Sequence, residues 1–264
     1  MTDLILFEQR ERIAILTLNR PEVRNILSGE GMTEAIVNAI DRLSAAADIH
    51  VAVLTGAGTA FSAGGDLKRM LATATARDPN TARRNYVEGI QRIPRAFARC
   101  EVPIIAAING PASGAGLDLA CMCDIRIAAQ SATFSESFVR IGIVPGDGGS
   151  WFLPRVVGLP KALEMSLTAD TLDAGQALRC QLVTRVVPDA ELMPTALAFA
   201  ERIARHPSPA VRMTKTLLQR SLGMTLDDTL TMTSAFQALA HTTAEHKAAL
   251  EQAVEALNAS KRKP

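Results

Sequence analysis

Apolar residues along this chain follow two rhythms. Short, mainly apolar runs at 13–18, 51–55, 104–108, 124–128 and 182–187 read as strands. A strand buried on both faces of a helix-covered parallel sheet has no polar side, which accounts for runs of this kind. Between the runs, apolar positions recur at helical spacing. Met32, Ile36, Ile40 and Leu43 share one face of a helix opening at Ser28 or Gly29. Residues 67–72 are helix-like, and 73–80 carry no apolar period and read as loosely ordered. A helix with Val87, Ile90 and Phe97 inward is expected to kink at Pro94. Thr133 and Phe134 form a short extended piece, and short helices are expected at 151–157, 161–167 and 173–178. Beyond Asp189 the pattern is helical only. One helix starts at Pro194 with Ala196, Phe199, Ala200 and Ile203 on one side, and others cover 209–222 and 244–257. Alternating strands and helices over residues 1–190 predict an α/β core. The helical remainder, 191–264, has apolar faces suited to packing on a neighbouring subunit.

Composition narrows the chemistry. The chain is 48% hydrophobic but only 4% aromatic, so aliphatic residues and alanine must fill the core. Twenty-eight basic residues balance 27 acidic ones, for a net charge of +1, and give no electrostatic case for a nucleic-acid partner. The dense basic run Lys261, Arg262, Lys263 reads as a solvated tail. Cys100, Cys121, Cys123 and Cys180 include no CxxC pair, and the C-x-C at 121–123 has no usual zinc spacing. Reduced, mostly buried thiols and a cytoplasmic location are expected. Charges at Glu8, Arg10, Glu11 and Arg12 leave no signal-peptide region, and no apolar run approaches a membrane span of ~18 residues. No P-loop, no G-x-G-x-x-G after a strand and no G-x-S-x-G elbow occurs. The four histidines have no metal-pair spacing, so no metal site is expected.

What remains is three loops of small residues. Residues 104–118 read as a buried strand, a turn at Asn109-Gly110-Pro111, a small-residue loop and a helix start. Residues 61–67, Phe-Ser-Ala-Gly-Gly-Asp-Leu, repeat the pattern, and Gly142-Ile-Val-Pro-Gly-Asp-Gly-Gly149 forms a third glycine-rich loop. Backbone N–H groups at a helix start lack internal acceptors and favour negative charge. Two such donors converging from separate loops would hold a developing oxyanion, and nearby carboxylates would move protons.

These motifs, with Arg20-Pro-Glu-Val-Arg-Asn25 before them, occur in an order that resembles the enoyl-CoA hydratase/isomerase (crotonase) superfamily, over residues 12–247. The resemblance implies a crotonase-like spiral of ββα units over 1–190 with the CoA and active site. It implies a C-terminal helical trimerisation region over 191–264, with homotrimers or dimers of trimers. It further implies an acyl-CoA substrate whose thioester oxygen is held by the backbone N–H groups of Gly65 and Ala115, with no cofactor other than the CoA of that substrate. The CoA contacts carried over are the loop Ala63, Gly64, Gly65, Asp66 and Leu67, with Arg24 nearby, and Gly110, Ala115 and Phe138 complete the expected substrate-binding set.

The carboxylates decide which reaction the resemblance implies. Hydratases of the family use two glutamates. The first position is Asp118 here, an acid one methylene shorter. The second, four residues before Gly142, is Phe138, and Glu136 or Asp147 could substitute. Hydration of a 2-enoyl-CoA leads. Double-bond isomerisation, which can run on one carboxylate, and a non-catalytic acyl-CoA binder remain the alternatives. The pocket wall is expected from residues 71–86, 134–141 and Trp151.

Overall fold

A computed structural model describes residues 3–29, 31–73 and 78–260. The basic run 261–263 and residues 74–77 of the loosely ordered stretch lie outside them. The strands are β1 (Ile5–Arg10), β2 (Ile13–Leu18), β3 (Val51–Gly56), β4 (Ile104–Ile108), β5 (Ala112–Ser113), β6 (Ile125–Ala129), β7 (Thr133–Ser135), β8 (Thr171–Asp173) and β9 (Arg185–Val187). The helices are α1 (Met32–Ala45), α2 (Leu67–Thr73), α3 (Pro79–Glu88), α4 (Arg92–Arg99), α5 (Ala115–Met122), α6 (Gly149–Val157), α7 (Leu159–Thr168), α8 (Ala174–Arg179), α9 (Leu192–Ala204), α10 (Ser208–Ser221), α11 (Leu226–His241) and α12 (Ala244–Ser260).

Six strands form one sheet in the order β1-β2-β3-β4-β6-β9, antiparallel only between β1 and β2. Every residue of β3 and β4 is buried, as continuous apolar runs require. One face packs Leu16, Leu54, Ile104 and Ala106 against α1, α4 and α5. The other face, with Val51, Val53, Ile105, Ala107 and Ile127, is covered by Leu192, Ala196, Ala200 and Ala204 of α9. A smaller sheet, β5-β7-β8, stands beside it. A parallel bridge between Ser62 and Ala112 links the first two small-residue loops through that sheet's edge.

Several elements differ from the pattern expected. β1 pairs with β2 although charges obscure its alternation: Ile5 and Phe7 are half-buried, while Glu8 and Arg10 face solvent. Residues 78–80, expected at the end of a loose stretch, already start a helix, because Asp78 caps α3 and Pro79 opens it. α3 buries nothing, so it leaves no apolar period. The helix expected to kink at Pro94 is broken earlier, at Gly89, and Pro94 sits in the first turn of α4. α1 begins at Met32, since Gly29 and Gly31 take positive φ of 88° and 81°.

The helices after α9 differ in how they are held. Lys215 of α10 pairs with Asp124 at 2.8 Å and donates to the Val102 carbonyl at 2.9 Å. Arg212 donates to the carbonyls of Ala46 and Ile49. α11 buries no residue, and Leu226, Leu230, Leu239, Leu250, Val254 and Leu257 along α11 and α12 are exposed. Among the described residues no helix is long and apolar enough to cross a membrane.

Candidate active site

The Arg20–Ser28 connection clasps the first loop. Asn25, fully buried at a φ of 55°, accepts from the Arg20 N–H and donates to the carbonyls of Ala57 and Ala60, each at 2.9 Å. The Ser62 hydroxyl donates to the Asn25 carbonyl at 2.7 Å and accepts from the Gly64 N–H at 3.1 Å. Leu27 N–H donates to the Gly64 carbonyl, Ala63 N–H to the Arg24 carbonyl and Asp66 N–H to the Ser28 hydroxyl. Arg24 is exposed beside this loop.

The first loop is pressed against the second. Gly64 has a φ of 83°, and a Cβ there would collide with the Ser113 carbonyl and stand 3.1 Å from the Ala115 nitrogen. A Cβ on Gly116 would collide with the Ser62 carbonyl. Only glycines let the two backbones approach this closely. The Ala115 N–H opens α5 and has no intrahelical acceptor. Among the described residues, no turn or loop carbonyl accepts it or the Gly65 N–H. The Met70 thioether end lies over Gly65, and the Phe138 ring edge lies 3.7 Å from where a Gly114 Cβ would stand.

Behind the second loop the structure gathers three acids. Asp118, one turn into α5, is fully buried, and its Oδ2 accepts from the Gly149 N–H at 3.0 Å, capping the start of α6. Glu136, just past β7, is also fully buried. A Cβ on Gly149 would collide with Asp118 Oδ1 and stand 2.6 Å from Glu136 Oε1, so both carboxyls converge on one glycine. Asp118 Oδ1 and both Glu136 oxygens receive no hydrogen bond from any other group among the described residues. Asp147 is 8% exposed, the most open of the three. Burial raises all three carboxyls: Asp147 to about 6, Glu136 to about 8, and Asp118 well above its ordinary value, with the charges of Glu136 and Asp147 adding to the effect.

Asp118, Glu136 and Asp147 thus share one cluster. Phe138 faces the second loop instead and brings no acid. Of the expected pocket wall, Tyr86 reaches the site region by packing on Gly146, whose carbonyl accepts from Gln91 Nε2 at 3.0 Å. Trp151 points outward, 58% exposed, under the Arg155 guanidinium. Sequence reading missed Ser28, Asn25 and Gln91 as supports for the loops. The hydroxyls of Ser135 and Ser137 were also missed; both bond to Ser113 Oγ, at 2.9 and 3.0 Å. Alternation along an extended segment could have shown this, since it puts Ser135 and Ser137 on one side and Glu136 on the other.

Fold and loops together define a crotonase-type protein. The chain belongs to the enoyl-CoA hydratase/isomerase family, whose model matches residues 8–263. A Mycobacterium tuberculosis relative named probable enoyl-CoA hydratase is 39% identical over 228 residues, 86% of each chain. An enoyl-CoA hydratase structure from Bacillus anthracis superposes with a TM-score of 0.88 at 31% identity, covering 96% of each chain. A Mycobacterium smegmatis structure described as a monofunctional enoyl-CoA isomerase superposes at 0.73 with 32% identity, covering 87% of this chain and 99% of its own.

Proposed function

We propose that this protein is an enoyl-CoA hydratase, adding water across the 2,3 double bond of a 2-enoyl-CoA through an oxyanion-stabilised thioester enolate. The observation that carries this reading is the pair of interlocked loops, with the free N–H groups of Gly65 and Ala115 beside a buried acid cluster. A thioester carbonyl bound to both amides gains most as its oxygen becomes an enolate, because the donors are fixed before charge develops. The backbone of residues 63–67 and the exposed Arg24 would hold the CoA, which is part of the substrate; no separate cofactor is invoked. Gly110 and Phe138 would border the acyl group. The exposed apolar positions on α11 and α12 suit a homotrimer or dimer of trimers, and a cytoplasmic setting suits four free thiols.

Phe138 in place of a second glutamate favours isomerisation as the second reading. The test measures loss of enoyl absorbance on crotonyl-CoA hydration alongside conversion of a 3-enoyl-CoA. Hydration supports the main reading. Conversion of the 3-enoyl substrate alone supports isomerisation. Neither activity, with CoA esters still raising Tm, makes the protein a non-catalytic binder.

A pH dependence follows from Asp147, which burial raises to about 6. As a base it works ionised, so kcat/KM should fall about tenfold per pH unit as pH drops below that value. The pH–rate profile checks this, and Asp147→Asn should abolish that acid limb.

A further inference from the structure

We propose that Asp118 and Glu136 form a proton-holding dyad in which Glu136, buried beside Asp118, keeps Asp118 protonated, so that Asp118 is the acid of the site and Asp147 its base. Glu136 is a positioning residue. This assignment rests on the hydratase reading and divides its roles.

Both side chains are fully buried and converge on Gly149, where no Cβ separates them. Their unsatisfied oxygens, Asp118 Oδ1 and both of Glu136, receive no other donor. The groups facing them are acidic or neutral: the Cys121 thiol from α5 and Asp147 from the loop before α6. Arg126, the nearest cation to Cys121, spends its guanidinium on the carbonyls of Leu182, Ala120 and Cys123. Among the described residues no Lys, Arg or His pairs with Asp118, Glu136 or Asp147. Two adjacent buried carboxylates without a cation cannot both stay ionised. A proton between them relieves the repulsion and makes a donor out of one acceptor, which satisfies two of the three vacant oxygens. The elevated values of both groups agree with this.

Placement relative to the oxyanion donors assigns the substrate-facing role to Asp118. Asp118 stands one turn along α5 from the Ala115 amide. The segment carrying Glu136 is anchored on both sides of it, because Ser113 Oγ bonds the hydroxyls of Ser135 and Ser137. In hydration, ionised Asp147 removes a proton from water as its oxygen bonds to C3. The C2=C3 π pair becomes a C1=C2 bond as the carbonyl π pair moves onto the thioester oxygen. The enolate then takes the Asp118 proton at C2, and the proton on Asp147 restores the dyad.

Glu136→Gln tests this. It removes the charge that holds the proton on Asp118, so Asp118 ionises at lower pH. The alkaline limb of kcat should move down by about one pH unit or more, with kcat loss about tenfold greater at pH 8 than at pH 6. KM should stay within about twofold, as expected of a group that does not touch substrate. Raised carboxyls bind protons in the folded chain that the unfolded chain releases at lower pH, so they oppose folding at neutral pH, and Tm should hold or rise in the variant. An unmoved alkaline limb, whatever the fall in kcat, overturns the proposal. An infrared pH difference spectrum of the wild type gives a readout independent of turnover. A buried protonated-carboxyl band at neutral pH that is lost in the Asp118→Asn/Glu136→Gln double variant supports the dyad, and its absence from the wild type refutes it. Failure of crotonyl-CoA hydration with that band present would sink the hydratase reading and the acid and base roles drawn from it, but leave the dyad standing.

Discussion

Asp118→Asn should lower kcat for crotonyl-CoA hydration about 10²–10⁴-fold, the range for loss of a positioned proton donor. The fold should survive. Asparagine has the same shape, keeps an oxygen for the Gly149 N–H, and offers the buried Glu136 carboxylate an N–H donor in place of the shared proton. Tm should therefore stay level while turnover collapses, and KM should move little. Steady-state kinetics with a thermal melt on the same preparation separates this from a folding defect. Unchanged kcat would remove Asp118 from the chemistry.

Gly64→Ala should cost about 10²–10³ in kcat, the usual effect of losing one oxyanion donor. Two faults are introduced together. Alanine at a φ of 83° is strained by about 1–2 kcal/mol, and its methyl would drive into the Ser113 carbonyl and toward the Ala115 nitrogen. The loops must part, and the Gly65 and Ala115 amides lose their common focus. Gly142→Ala is the control. Its φ of 71° carries similar strain, but nothing lies within 4 Å of the added methyl. Both variants should therefore carry the strain, Gly64→Ala should lose more stability through the clash, and only Gly64→Ala should lose the transition-state contribution. Equal kcat in the two variants would show that the amides do not act as a pair.

The sheet and its helices were legible because burial leaves a direct trace in composition. The runs in β3 and β4 are apolar but for Thr55 since both faces are covered, and α1 shows its stripe because one face is. Elements that bury little left no such trace. The start of α3 buries nothing and read as loose, β1 is an exposed edge strand, and β5 is two residues long. The small-residue loops were legible because close backbone approach admits few residue types. The acids were harder. Offset from Gly142 pointed to Phe138, but which carboxyl reaches Asp118 depends on the side-chain direction at the end of β7 and on the space left by Gly149. Alternation gives the first, but the second does not follow from counting residues along the chain.

The seating of α9 bears on how the chain could be divided. Leu192, Ala196, Ala200 and Ala204 shield the outer side of four core strands. A polypeptide ended at residue 190 would present Val51, Val53, Ile105, Ala107 and Ile127 to water as one continuous oily plane. Such fragments seek any available cover, and self-association into insoluble material is the usual outcome. The segment after 190 is thus two things in succession: a wall of the same building for its first helix, and a free-standing wing only from α11 onward.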